Sequence, residues 1–138
     1  MAKIVNMLEF NAQNGDAESQ LRWGDRLLCR AEDPDPEKAV EWYRKSADQG
    51  HPEAFGRLAD CYAAGRGIHQ NVELAFDYAT KGAEKGDSHC MFFIGEFYFY
   101  GILVEKNRRK AKEWYRKAAN KFDFDATEKL IEWTDKED

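Results

Sequence analysis

Two seven-residue segments of the chain nearly coincide: Glu41-Trp42-Tyr43-Arg44-Lys45-Ser46-Ala47 and Glu113-Trp114-Tyr115-Arg116-Lys117-Ala118-Ala119. They stand 72 residues apart, and halfway between them lies a weaker copy, Asp77-Tyr78-Ala79-Thr80-Lys81-Gly82-Ala83. A period of 36 residues follows, obeyed by Ala39, Ala75 and Ala111, by Gly50 and Gly86, and by Gly65 and Gly101. Self-similarity at this spacing marks a stack of supersecondary units, because one unit alone cannot bury its apolar face. Each unit reads as two helices, A then B. In the middle unit A carries Ala54, Leu58 and Tyr62, and one period later stand Cys90, Ile94 and Tyr98. That i, i+4, i+8 spacing is one stripe of an α-helix. Small residues at Ala59 and Gly95 let a neighbouring helix come close. Helix B carries Ala75, Tyr78, Ala79, Gly82 and Ala83 on a similar stripe.

The punctuation keeps the same period. Asp35, Asn71 and Asn107 precede the B helices as N-caps, with Pro36 at a first helical position. Asp87 and Asp123 precede A helices, and His51 takes the equivalent place. Gly50 and Gly86 suit the left-handed turn that ends a helix. The first unit is a looser copy offset by 35, in which Ser19, Trp23, Gly24 and Leu27 match Ala54, Leu58, Ala59 and Tyr62. Further back, Val5, Met7, Leu8 and Ala12 match Val40, Trp42, Tyr43 and Ala47, so the N-terminus reads as a lone B helix. Ala126, Leu130 and Ile131 continue the A pattern into a last helix. The expected fold is all-α: a single right-handed α-solenoid of antiparallel helix pairs with about eight helices. Its parts are a capping helix over 1–14, helix-pair repeats over 15–50, 51–86 and 87–122, and a closing helix over 123–138.

Composition narrows the function. Apolar residues make up 43% and aromatics 14%, enough for a core and too much for a disordered chain. The net charge of -5 argues against a nucleic-acid partner, which asks for a basic face, and suits a basic protein partner. Cys29, Cys61 and Cys90, an odd count with no close spacing, do not make a disulfide framework and are read as small buried apolar residues. No apolar run suggests a signal peptide or a membrane span, so the expected address is the cytoplasm.

The pattern Ala-x-x-x-Leu-(small)-x-x-Tyr-x-x-Gly-x-Gly-Ile at 54–68, followed by Ala-x-x-Tyr-Ala-x-x-Gly-Ala at 75–83, resembles the SLR (Sel-one-like repeat) family, relatives of the tetratricopeptide repeats. The Trp-Tyr-Arg-Lys-Ala-Ala of 114–119 is similar to that family's second-helix signature, whereas Gly101-Ile102-Leu103-Val104 lacks the second loop glycine. The resemblance, over roughly residues 15–135, implies an interaction module or adaptor of the kind found in bacterial signalling, secretion and host-contact systems. It further implies that the A helices line the concave face, and it includes members that act as immunity proteins against a toxin.

Helical geometry asks which A residues the core does not claim. At about 100° per residue, Ala54, Leu58 and Tyr62 span roughly 0° to 80°, whereas Arg57 and Asp60 fall near 300° and 240°. Repeated through the stack, these positions form two columns: Arg22, Arg57, Phe93, Lys129, and Asp25, Asp60, Glu96, Glu132. The columns suggest a polar groove of alternating charge broken by Phe93; solvated i, i+3 pairs within each helix would show the same period. The third A helix holds more aromatics than its core stripe requires. Phe92 and Phe99 lie opposite that stripe and, with Tyr100, make either an apolar partner patch or packing against flanking helices. The partner-binding candidates are therefore Arg22, Asp25, Arg57, Asp60, Phe92, Phe93, Glu96, Phe99 and Tyr100, with the site centred toward the C-terminal half.

Nothing in the sequence reads as catalysis. His51, His69 and His89 share no helix face with a second good ligand, and there is no His-Glu-x-x-His, phosphate loop, nucleophile elbow or Cys-x-x-Cys. No metal site, cofactor or catalytic residue is expected. The reading is a non-enzymatic scaffold for a protein or peptide. An immunity protein against a basic toxin, a small-molecule-binding or enzymatic accessory protein, and a homo-oligomer built on exposed end helices are the alternatives.

Overall fold

The computed structural model describes residues 2–30, 32–121 and 123–136, with side chains described for 7–30, 32–121 and 123–133. Among these residues there are eight α-helices and no strand: α1 (Ala2–Gln13), α2 (Ala17–Cys29), α3 (Pro36–Asp48), α4 (Pro52–Ala64), α5 (Val72–Glu84), α6 (Ser88–Tyr100), α7 (Arg108–Ala119) and α8 (Phe124–Lys136). The even-numbered helices are of type A and the odd-numbered of type B. Packing is closest within the pairs α2–α3, α4–α5 and α6–α7, and looser from one pair to the next. The expected α-solenoid of helix pairs is what forms.

The helices begin where the caps fall. Asp35, Asn71 and Asn107 accept the backbone N–H of Lys38, Leu74 and Lys110, and Asp16, Asp87 and Asp123 do the same for Ser19, Cys90 and Ala126. Each bond satisfies one of the amides that the first turn leaves without a partner. His51 is the exception: it makes no cap and instead contacts Glu18 through Nε2 at 2.6 Å. The A–B loop of the middle unit turns on Gly65 and Gly67, both at positive φ. In the third unit Gly101 repeats the first turn, but Leu103 holds the second at φ 62, a conformation that costs a side chain energy glycine does not spend.

The stripe expected of the middle A helix is buried throughout: Ala54 and Leu58 are fully enclosed and Tyr62 is 6% exposed. In α6 Cys90 and Ile94 are buried as expected, while Tyr98 is only half-buried and Phe97 is buried beside them. In the first unit Trp23 and Leu27 are buried, and Ala12 of α1 is covered too; the side chain of Val5 falls outside the described residues. Where Gly24 and Gly95 stand, a Cβ would come 2.6 Å from the buried rings of Tyr43 and Tyr115. Only glycine admits a fully enclosed tyrosine there. The middle unit solves the same contact with Ala59 and Ala79, both fully buried.

The cysteines divide. Cys61 and Cys90 are buried, and burial pushes the Cys61 thiol up to about 11 and the Cys90 thiol higher still, so both are poor nucleophiles. Cys29 corrects the expectation of three buried thiols. It is exposed because it closes the last turn of α2, the place taken by the equally exposed Ala64 and Tyr100 in the other units.

Candidate interaction face

Along the A helices, α4 contacts α6 directly, and charged side chains link α2 to α4 and α6 to α8. Along this face the two charged columns come together, but not as i, i+3 pairs within a helix. Arg57 of α4 reaches back to Asp25 of α2 at 2.8 Å, and Lys129 of α8 reaches back to Glu96 of α6 at 3.8 Å. Each acid thus pairs with a base one unit later, making rungs between units. Arg22, at the start of its column, has no earlier unit and pairs with Glu18 on its own helix at 2.9 Å.

The outer rungs are braced from behind. The Tyr43 hydroxyl donates to Asp25 at 2.6 Å, and the Tyr115 hydroxyl to Glu96 at 3.0 Å. Burial, reinforced by these carboxylates, pushes both phenols far above their ordinary range, so they remain donors at any working pH. The glycines that admit the rings therefore also fix the acids of the outer rungs.

The middle rung differs on both sides. Ala79 stands in the tyrosine position, so Asp60 has no hydroxyl behind it, and Phe93 stands in the base position. Asp60 takes His89 instead, one turn earlier on α6, with Nε2 2.9 Å from each carboxylate oxygen. The hydrogen bond that His89 donates to the Asp60 carboxylate raises the His89 pKa above its ordinary value against the opposing effect of burial. Asp60 is exposed where Asp25 and Glu96 are half-buried. Phe93, half-buried, stacks on Phe97 with centroids 5.0 Å apart. Tyr100, two turns along, leaves 56% of its surface exposed, and its hydroxyl accepts from Lys129 at 3.3 Å.

Phe92 and Phe99 do not join this face. Phe92 packs on Tyr115 at 5.5 Å, and Phe99 packs edge-on against Trp133 at 5.3 Å. Both are partly buried and pack against the second core cluster, between α6, α7 and α8. His89 was missed as a site residue. The signal for it was positional: it stands one turn before Phe93, within reach of the acid that Phe93 leaves without a base. Among the described residues no group of three or more His, Cys, Asp and Glu could hold a metal ion, and no helix is long and apolar enough to cross a membrane.

A sequence model of the Sel1 repeat matches residues 17–51, 54–87 and 88–121. The chain belongs to the Sel1 repeat family. Over 130 residues this Sel1 repeat chain is 30% identical to an uncharacterised protein of Neisseria meningitidis, covering 94% of this chain and 27% of the relative. Over 90 residues it is 34% identical to a chitin synthase regulator of Saccharomyces cerevisiae, covering 63% of this chain and 13% of the regulator. It thus spans well under half the length of either curated relative. Among solved structures, a Sel1 repeat protein from Oxalobacter formigenes superposes with a TM-score of 0.77 at 33% identity, over 95% of this chain and 99% of that one.

Proposed function

We propose that the chain is a non-enzymatic scaffold that holds a segment of a partner protein along its concave A-helix face, centred on Arg57, Asp60, Phe93, Glu96 and Tyr100. The observation that carries this reading is the middle rung. The repeat builds a tyrosine-braced ion pair above and below it, and at this one level leaves the acid exposed, held by a histidine alone, and puts a phenylalanine where the base belongs. An exposed carboxylate beside half-buried aromatic surface offers a hot-spot anchor within a charged rim. The complementary segment has an apolar side chain set beside a basic one. Sel1 repeats as a family serve protein–protein interaction, and a relative named as a regulator accords with a scaffold better than with an enzyme.

The test takes the partner purified from the native source and titrates it against folded variants. Phe93→Ala with Tyr100→Ala should weaken binding by about 2 kcal/mol or more, the scale of a hot-spot truncation. Asp60→Lys should mainly slow association and change its salt dependence. Unchanged affinity in variants that keep their helical content and cooperative unfolding would place the site elsewhere.

A further inference from the structure

The negative net charge conceals a segregation. Residues 106–121 hold eight Lys and Arg against one acid, Glu113, while the rest of the chain holds 13 against 25. Most of that excess sits on α7, and the repeat does not ask for it. Glu37 and Glu73 stand where α7 has Arg109, and Val40 and Phe76 where it has Lys112. The placement also opposes the helix dipole. The first turn of a helix favours acids, and α2, α3, α4 and α5 each put a glutamate there. α7 opens with Arg108, Arg109 and Lys110 and no acid. Cations gathered at a positive helix end raise the local potential and cost stability, a cost that an anion from outside would reverse.

These side chains line a groove between α7 and α8 formed by Arg108, Arg109, Lys112, Glu113, Arg116 and Trp133. Arg109 and Arg116 are exposed. None of the ion pairs among the described residues involves Arg109, Lys112 or Arg116. Lys112 lies over the Trp133 ring at 5.2 Å, and the buried indole N–H of Trp133 finds no acceptor among the described residues. We propose that this groove is a second docking surface, for an acidic segment of a partner protein, and that it is separate from the A-helix face. The occupant is a short acidic peptide because the cationic strip is one helix long, about 18 Å at 1.5 Å per residue. Asp123 at the N-cap of α8, with Asp125 and Glu128 on that helix, would repel a longer polyanion. Trp133, 7% exposed, presents no open ring for base stacking and no protruding wedge for a bilayer.

The test uses the full chain and three probes: a fluorescein-labelled ten-residue glutamate–leucine peptide, a ten-residue oligothymidylate, and vesicles of phosphatidylserine and phosphatidylcholine. The decisive variant is Arg109→Glu with Arg116→Thr, which gives α7 the residues of α5 at both positions. By anisotropy the peptide should bind the native chain at low salt and weaken about tenfold or more when salt is raised from about 50 to 500 mM, as screening of close exposed charges requires. The variant should lose about tenfold in affinity while its melting temperature stays level or rises, since a glutamate in the first turn suits the helix dipole. Phe93→Ala with Tyr100→Ala should leave this binding unchanged, so failure of this surface and failure of the A-face reading are told apart. Absence of peptide binding at low salt, or binding that survives the Arg109/Arg116 variant, overturns the proposal. Tighter binding of the oligonucleotide or the vesicles than of the peptide also overturns it, in favour of a nucleic-acid or membrane surface.

Discussion

The outer units and the middle unit of this solenoid make the same A–B contact in different ways. In the outer units a glycine on A admits a tyrosine from B, Gly24 with Tyr43 and Gly95 with Tyr115, and the hydroxyl passes through to brace an acid on the A face. In the middle unit Ala59 and Ala79, both buried, stand at these two positions, the brace is gone, and Asp60 turns to a histidine. Helix spacing is thus one interior choice with an exterior consequence. A large residue traded for a small one in the core decides whether a surface carboxylate is braced from behind by a hydroxyl or held only by a neighbour on the surface. The middle level of the A face therefore differs from the levels on either side of it.

The largest effect should come from removing the brace. Tyr115→Ala should cost roughly 3–5 kcal/mol, as truncation of a fully buried aromatic does, measured by denaturant unfolding. Gly95→Ala forces a methyl against that ring and should cost about 1–3 kcal/mol as an overpacked contact. The comparison sharpens in the double variant. Gly95→Ala with Tyr115→Ala recreates the middle unit's pair, the new methyl fills part of the space the ring leaves, and the double should be more stable than Tyr115→Ala alone. Simple additivity of the two losses would show that glycine and tyrosine are not one device.

A smaller effect is expected at the loop where the middle and third units also differ. Leu103 is exposed and sits at positive φ where the middle unit has Gly67. Leu103→Gly should relieve that strain and stabilise by up to about 1 kcal/mol, the backbone penalty less the extra freedom glycine gains on unfolding. A fall in melting temperature would mean that the leucine side chain contributes more than its exposure suggests.

The smallest effect belongs to the open rung. The folded state raises the His89 pKa, so the contact with Asp60 contributes its full stability below the unfolded value of about 6.5 and loses it as pH rises through the folded value. Both groups are more than a third exposed, so solvent screens the pair and the change is shallow. His89→Asn should remove that pH dependence from the stability curve as pH rises above about 6.5. A curve that keeps its slope in the variant would assign the titration to another group.

Much of the architecture was legible from residue order. The 36-residue period, the Asp and Asn caps, and the stripe of Ala54, Leu58 and Tyr62 are local: each depends on a helix's own geometry or on the three residues after its cap, so spacing alone determined them. The partnership of the charges was not local. Arg57 lies three residues from Asp60 and 32 from Asp25, and it takes the distant acid because the stacking of one unit on the next brings α4 against α2. The fates of the aromatics were likewise decided by the fold. Phe92, Phe93, Phe99 and Tyr100 share one helix, and only the positions of α7 and α8 cover part of Phe92 and Phe99 and leave Tyr100 exposed. A helix's own turn sets which residues share a face; which neighbour covers that face depends on how the units rotate against one another, and that is a property of the packed stack.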